Sequence, residues 1–132
     1  MSLPSQKKYL FERQYRHGLD VVEWEIPAGV IEKREEPMAA AKRELMEETG
    51  FGGGEWEPFM NLCPNPGTNN NIAHTFLARG VEHAGAQHFD ANEDLDVYLL
   101  TAEEVRGILE RGEIMQALMA APLWKLVATL RR

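Results

Sequence analysis

Residues 29–51 read GVIEKREEPMAAAKRELMEETGF, and what this stretch becomes decides how the rest of the chain is arranged. From Pro37 onward it predicts a helix. Pro37 suits the first turn, where its missing N–H costs nothing, and Ala39 to Ala41 are strong helix formers. Gly50 supplies the stop. Met38, Ala41 and Leu45 recur at spacings of three and four, which predicts one apolar stripe facing a core. Glu44, Glu47 and Glu48 crowd a neighbouring face, and like charges so spaced destabilise a helix by roughly 0.2–0.5 kcal/mol per pair. Such a cluster is either a solvated acidic face or a site for a hard divalent cation, which takes oxygen ligands and shares its shell with substrate phosphates. Local charge leaves both open.

The spacing of the whole stretch separates them. Gly29 is followed after five residues by Glu35, and after seven more by Arg43-Glu44-Leu45, Met46, Glu47-Glu48, Thr49 and Gly50-Phe51. This is the pattern of the Nudix box, G-x5-E-x7-R-E-U-x-E-E-x-G-U with U apolar, met at every specified position. Average residue usage puts a chance match on the order of 10⁻⁷. The chain therefore resembles the Nudix hydrolases, which cleave a nucleoside diphosphate linked to another group. The resemblance implies a loop–helix–loop that binds metal and diphosphate within the Nudix-type α/β/α sandwich, and the pattern of strands and helices along the chain predicts a mixed β-sheet with helices against it, an α+β fold. Arg13-Gln14-Tyr15-Arg16, Glu25-Ile26-Pro27-Ala28-Gly29 and the loop Pro66-Gly67-Thr68-Asn69-Asn70-Asn71 followed by His74 are similar to segments of the ADP-ribose and nucleoside-diphosphate-sugar pyrophosphatases.

Carried over position by position, the resemblance implies Glu44 and Glu48 as metal ligands and Glu47 as ligand or near-ligand. It also implies the Ala28 carbonyl as a further ligand. Arg43 would hold the box together by pairing with Glu35 or Glu47, and Glu35 would orient the loop. Arg16 and Arg13 would face the phosphates, with a surface ion pair the equal alternative for Arg13. Gly29 and Pro66 join the substrate-binding set. The metal expected is Mg²⁺, with Mn²⁺ as an alternative. Two departures stand out. Where relatives place E-x-E before the last strand, this chain reads Asp90-Ala91-Asn92-Glu93-Asp94, with Ala91 at the first glutamate's place, so the resemblance implies Glu93 as general base, then Asp90 or a box glutamate. Longer relatives also carry several strands before the R-Q-Y-R segment; here these are expected to be absent, which leaves a homodimer and the nucleoside contacts open.

The chemistry needs these residue types. A diphosphate repels an attacking hydroxide, so metal must neutralise charge and acidify bound water. An acidic side chain then takes the proton or steers the water.

The remaining composition agrees. One hundred and thirty-two residues suit a single domain, residues 1–132, and a net charge of −7 argues against non-specific nucleic-acid binding. Cys63 is the single cysteine, so no intrachain disulfide forms and a reducing, cytoplasmic setting is expected. No apolar run reaches membrane-spanning length. The four histidines show no zinc-ligand spacing with that cysteine.

In chain order, alternation predicts a strand over 7–16, a turn over 17–20 and a returning strand over 21–26 with Val22, Trp24 and Ile26 on one face. Gly29 allows close backbone approach or a positive φ. Gly52-Gly53-Gly54 reads as a flexible connector, 56–63 as a strand with Pro58 marking an edge, 64–71 as a loop, 72–78 as a strand, 79–92 as irregular and 95–100 as a buried strand. Thr101-x-x-Glu104 is a capping box opening a helix with Val105, Ile108 and Leu109 inward. Residues 114–121 and 123–130 predict helix broken at Pro122. The expected function is Mg²⁺-dependent hydrolysis of ADP-ribose or a related nucleoside diphosphate sugar. The alternatives are another nucleoside diphosphate derivative, such as a dinucleotide, and a non-catalytic nucleotide-sensing module.

Overall fold

The computed structural model describes residues 7–16, 21–67, 71–83 and 95–130. The elements run β1 (Tyr9–Arg16), β2 (Val21–Glu25), α1 (Pro37–Thr49), β3 (Phe51–Gly52), β4 (Glu55–Leu62), β5 (Ala73–Arg79), β6 (Glu82–His83), β7 (Leu95–Leu100), α2 (Ala102–Glu110) and α3 (Ala117–Leu130). They fall into two compact units, one of residues 1–26 with 92–132 and one of residues 27–91.

In the first unit β1 lies between β2 and β7, antiparallel to both. Alternation along β1 sends Phe11 to one face and Glu12 to the other. Phe11 and Leu100 are buried with Val105, Ile108 and Leu109 of α2, Ile114, and Met119, Leu123 and Val127 of α3. Tyr9, Trp24 and Ile26 pack against this cluster. Each fully buried aliphatic or aromatic side chain here contributes about 1.5–3 kcal/mol. The opposite face is unusual. Glu12 stands across from Glu25 and Gln14 across from Glu23, and all three glutamates are buried.

The capping box forms as the sequence predicts: the Glu104 N–H donates to Thr101 Oγ1 at 3.2 Å, and the Thr101 N–H donates to Glu104 Oε1 at 2.9 Å. Those bonds also hold the Glu104 carboxyl below its ordinary range. The break expected at Pro122 does not occur. α3 runs through it as one helix, starting at Ala117 rather than 114. Pro122 forfeits one backbone bond, but it is buried beside Met119, Leu123 and Val127, and that packing outweighs the lost bond.

In the second unit α1 starts at Pro37 without a side-chain cap and ends at Gly50, whose φ of 78° is left-handed and whose N–H donates to the Met46 carbonyl at 2.9 Å. Its buried residues are Ala40, Leu45 and Thr49, so the inward stripe is rotated from the expected 38/41/45 set, of which only Leu45 is fully buried. Thr49 Oγ1 donates to the Leu45 carbonyl at 2.6 Å and accepts from the Phe51 N–H at 3.1 Å. That hydroxyl joins the helix to β3.

β4 and β5 form an antiparallel pair, and Pro58 lies at the register shift between Pro58 and Met60, where a missing N–H is tolerated. The glycine run is a built turn, not a flexible connector. Gly53 and Gly54 have φ of 72° and 77°, and a Cβ on Gly54 would strike the Arg79 carbonyl. Residues 79–92 are likewise not wholly irregular, because β6 pairs with β3. Two-residue strands carry no periodicity, so sequence patterning misses them. Every strand pairing among the described residues is antiparallel, both between near neighbours such as β1 and β2 and between distant strands such as β1 and β7. The α+β class holds, and the parallel part of the expected mixed sheet is not among these pairings. Among the described residues no helix is long and apolar enough to cross a membrane.

Candidate active site

The site is built within the second unit, from the loop after β2 and the face of α1 that carries the glutamates. Arg43 is its hub. Its Nε and Nη2 donate to the two carboxylate oxygens of Glu35 at 2.8 and 3.0 Å, a bidentate pair. Nη1 donates to Glu44 Oε1 at 2.8 Å and to Glu47 Oε2 at 3.2 Å. Nη2 also reaches the Val30 carbonyl at 3.1 Å, and Glu32 lies 3.7 Å from Nη1. One guanidinium therefore offsets the like-charge repulsion that makes the acidic face costly in isolation.

The same contacts fix the loop. Glu35 Oε1 accepts from the Glu32 N–H at 2.9 Å, and the Glu35 N–H donates to the Glu32 carbonyl at 3.0 Å. Arg34, within this turn, holds a positive φ of 67°. The Arg43 hydrogen bonds, followed by the Glu32 amide, hold the Glu35 carboxyl below its ordinary value, and the carboxylates hold Arg43 more firmly protonated than usual.

At the start of the loop the Ala28 N–H donates to Glu48 Oε2 at 3.2 Å. Gly29 meets the Glu44 side chain so closely that a Cβ built on Gly29 would fall within its carboxylate. Gly29 is not among the residues with positive φ, so close approach is what requires the glycine here. Glu44 and Glu48, one helical turn apart, are thus both laid against the Ala28–Gly29 backbone.

The donor chemistry fits a hard divalent cation. Glu44, Glu47, Glu48 and the Ala28 carbonyl offer oxygen only, on a rigid helix and a pinned loop, as Mg²⁺ requires. Among the described residues no three His, Cys, Asp or Glu side chains already converge as a ligand cluster. Glu44 and Glu47 each give an oxygen to Arg43 Nη1, and Glu48 accepts from the Ala28 amide.

The other expected site residues belong to other segments of the chain. Arg13, on β1 in the first unit, is exposed with its guanidinium 5.0 Å from the Trp24 ring centre, and Trp24 meets Tyr98 edge-on at 5.2 Å. Arg16 ends β1 opposite Val21. Pro66 is exposed in a turn of the second unit. Glu93, Asp90 and Ala91, the turn 17–20 and Thr68 to Asn70 lie outside the described residues. His74 Nδ1 is 3.1 Å from Asn61 Oδ1. Sequence reasoning did not single out Glu32 or the Val30 carbonyl, which complete the Arg43 network. Nor did it single out the buried Glu12–Glu25 pair, which polar residues along both strands, YLFERQYR and VVEWE, leave without a distinct sequence signal.

Residues 3–120 match the NUDIX domain family. The chain is 34% identical over 115 residues to a methanol dehydrogenase activator of Bacillus methanolicus, covering 86% of this chain and 62% of that one. It is 31% identical over 118 residues to an ADP-ribose pyrophosphatase of Bacillus subtilis (strain 168), covering 89% and 64%. The chain thus spans less than two thirds of the length of either relative. A crystal structure of an ADP compounds hydrolase superposes with a TM-score of 0.81 at 22% identity, covering 96% of this chain and 68% of that chain, which shows a shared fold.

Proposed function

Because this chain belongs to the NUDIX domain family, we propose that it hydrolyses the diphosphate bond of ADP-ribose or a related nucleoside diphosphate sugar. The products are a nucleoside monophosphate and a sugar phosphate. The observation that carries this reading is the Arg43 hub, which ties Glu35, Glu44, Glu47 and the Val30 carbonyl into one frame while Glu44 and Glu48 lie against Ala28–Gly29. The ADP-ribose pyrophosphatase relative supports the substrate class. We read residues 1–132 as one domain, since the family match runs through both compact units.

Mg²⁺, or Mn²⁺ in its place, held by Glu44, Glu47, Glu48 and the Ala28 carbonyl, would neutralise the diphosphate and acidify a bound water. The chain's own residues do the positioning. Arg43 acts through the carboxylates and not on substrate, because its donors are already committed. Gly29, having no side chain, leaves the Glu44 carboxylate room against the loop that Glu48 also meets, and so serves the diphosphate site by placing its carboxylates. Arg16 and Arg13 are the candidate phosphate contacts, and Pro66 is a further candidate substrate-binding residue. The proton of the attacking water goes to Glu93, or else to Asp90 or a box glutamate, among which Glu47 is the most open of the three carboxylates bonded to Arg43 at 44% side-chain exposure.

Product analysis with ADP-ribose and Mg²⁺, beside a Glu48→Gln variant and a chelated control, tests this. AMP and ribose 5-phosphate from the parent, lost in both controls, is the expected result. Metal-dependent ligand binding without turnover would instead favour a sensing module, and turnover confined to dinucleotides would move the substrate class.

A further inference from the structure

An arginine side chain has five N–H hydrogens, one on Nε and two on each Nη. In Arg43 all five are taken: Nε and Nη2 donate to Glu35, Nη2 also to the Val30 carbonyl, and Nη1 to Glu44 and Glu47. Glu32 is a further acceptor at the same guanidinium. Its Oε1 lies 3.7 Å from Nη1, beyond the roughly 3.2 Å reach of a good hydrogen bond. Its backbone is nonetheless fixed there, because its N–H and its carbonyl are both bonded to Glu35. The loop thus holds a carboxylate beside a donor that has no hydrogen left for it. At 69% side-chain exposure, Glu32 is also the most open of the four carboxylates around Arg43.

That surplus acceptor matters when the carboxylates hold an ion. Among the described residues Glu44, Glu47 and Glu48 do not converge as a ligand set, so an ion held by all three requires at least one of them to turn. Glu47 is the one placed to do so. Its bond to Nη1 is 3.2 Å long against 2.8 Å for Glu44, and its side chain is 44% exposed against 18%. Glu44 is also wedged against Gly29. When Glu47 turns, an Nη1 hydrogen loses its acceptor on a side chain only 25% exposed, which costs an unmade hydrogen bond. We propose that Glu32 is a positioning residue that accepts this hydrogen, so that Arg43 keeps its frame while Glu47 serves the metal; this rests on the metal placement in the preceding subsection. Oε1 needs to move by about 0.8 Å to reach an ordinary N–H···O distance, a small excursion for an exposed glutamate on a fixed backbone.

The test follows Mn²⁺ binding through the EPR signal of the free ion, beside thermal unfolding in chelator, for the full chain carrying Glu32→Ala or Glu32→Gln. Glu32→Ala should weaken Mn²⁺ binding about tenfold, the scale of one unmade hydrogen bond at a charged group. Its melting temperature in chelator should stay within about 1 °C of the parent's, because the five hydrogens of Arg43 then keep their acceptors. Glu32→Gln retains an acceptor oxygen and should bind Mn²⁺ within about threefold of the parent. A Glu47→Ala background shifts the readout. There one Nη1 hydrogen is released already in the metal-free protein, so adding Glu32→Ala should lower the melting temperature in chelator by about 3–5 °C. Unchanged Mn²⁺ affinity in Glu32→Ala overturns this inference alone. So does a Glu32→Gln variant as weak as Glu32→Ala, because lost charge would then be the cause. An effect of Glu32→Ala on melting temperature that is equal with and without Glu47, zero included, overturns it too, since no hydrogen would then pass between the two carboxylates. A parent that binds no Mn²⁺ overturns both this inference and the metal placement beneath it.

Discussion

Gly29→Ala separates a positioned site from a merely acidic helix. The Cβ added at Gly29 would overlap Cδ, Cγ and Oε1 of Glu44. Non-bonded carbons rest about 3.5–4.0 Å apart, so the Glu44 carboxylate must retreat by more than about 1 Å. Glu44 Oε1 now accepts from Arg43 Nη1 at 2.8 Å. A retreat of that size carries it past the roughly 3.2 Å limit of a good hydrogen bond. The fold should scarcely notice. Gly29 is exposed and not in the left-handed region, and the obstacle is the far end of a flexible side chain. Replacing a glycine in a compatible conformation stabilises by about 0.4–1 kcal/mol through the unfolded state, which offsets the displaced contact. Net stability should therefore change by less than about 1 kcal/mol. Activity should not be spared, since misplacing a catalytic group by about 1 Å costs on the order of a hundredfold. Thermal unfolding and metal-dependent ADP-ribose turnover, measured on the same preparation, provide the assay. Turnover within about twofold of the parent at an unchanged melting temperature would refute the reasoning, because Glu44 would then not need its place against Gly29.

Three further outcomes follow from particular contacts. Glu35 has its carboxyl held below the ordinary value of 4.5 by Arg43, so the stability it contributes is fully present above that value and is lost as pH falls through the depressed one. Melting temperatures from about pH 5 down to about pH 3 should fall more steeply for the parent than for Glu35→Gln; parallel curves would mean that Glu35 is not titrating in this range. Thr49→Val keeps the shape of a buried residue but leaves the Phe51 amide without its acceptor, which should cost about 1–3 kcal/mol in chemical denaturation. Thr101→Ala removes the side-chain half of the capping box and should cost about 1 kcal/mol, lowering the melting temperature by about 3–5 °C without touching turnover.

The box spacing, the helix opened by Pro37 and closed by Gly50, and the capping box at Thr101 were legible in the chain itself. Each is a local signal, carried by a φ restriction, a left-handed stop or a side chain bonding its own backbone three residues away. The α+β class followed from the same periodicities. What needed the tertiary structure was every decision made between distant residues. The sequence offered Arg43 a choice of Glu35 or Glu47, and the folded loop supplies both together with Glu44 and the Val30 carbonyl, because a planar guanidinium can serve several acceptors only when a second segment lies across the helix. Gly29 was open to either a positive φ or a close approach, and the Glu44 side chain settled it as the latter. Pro122 reads as a break in isolation, yet burial beside Leu123 and Val127 holds the helix through it. Packing energy between elements exceeds what one residue's backbone preference can veto, and it cannot be seen until the elements meet.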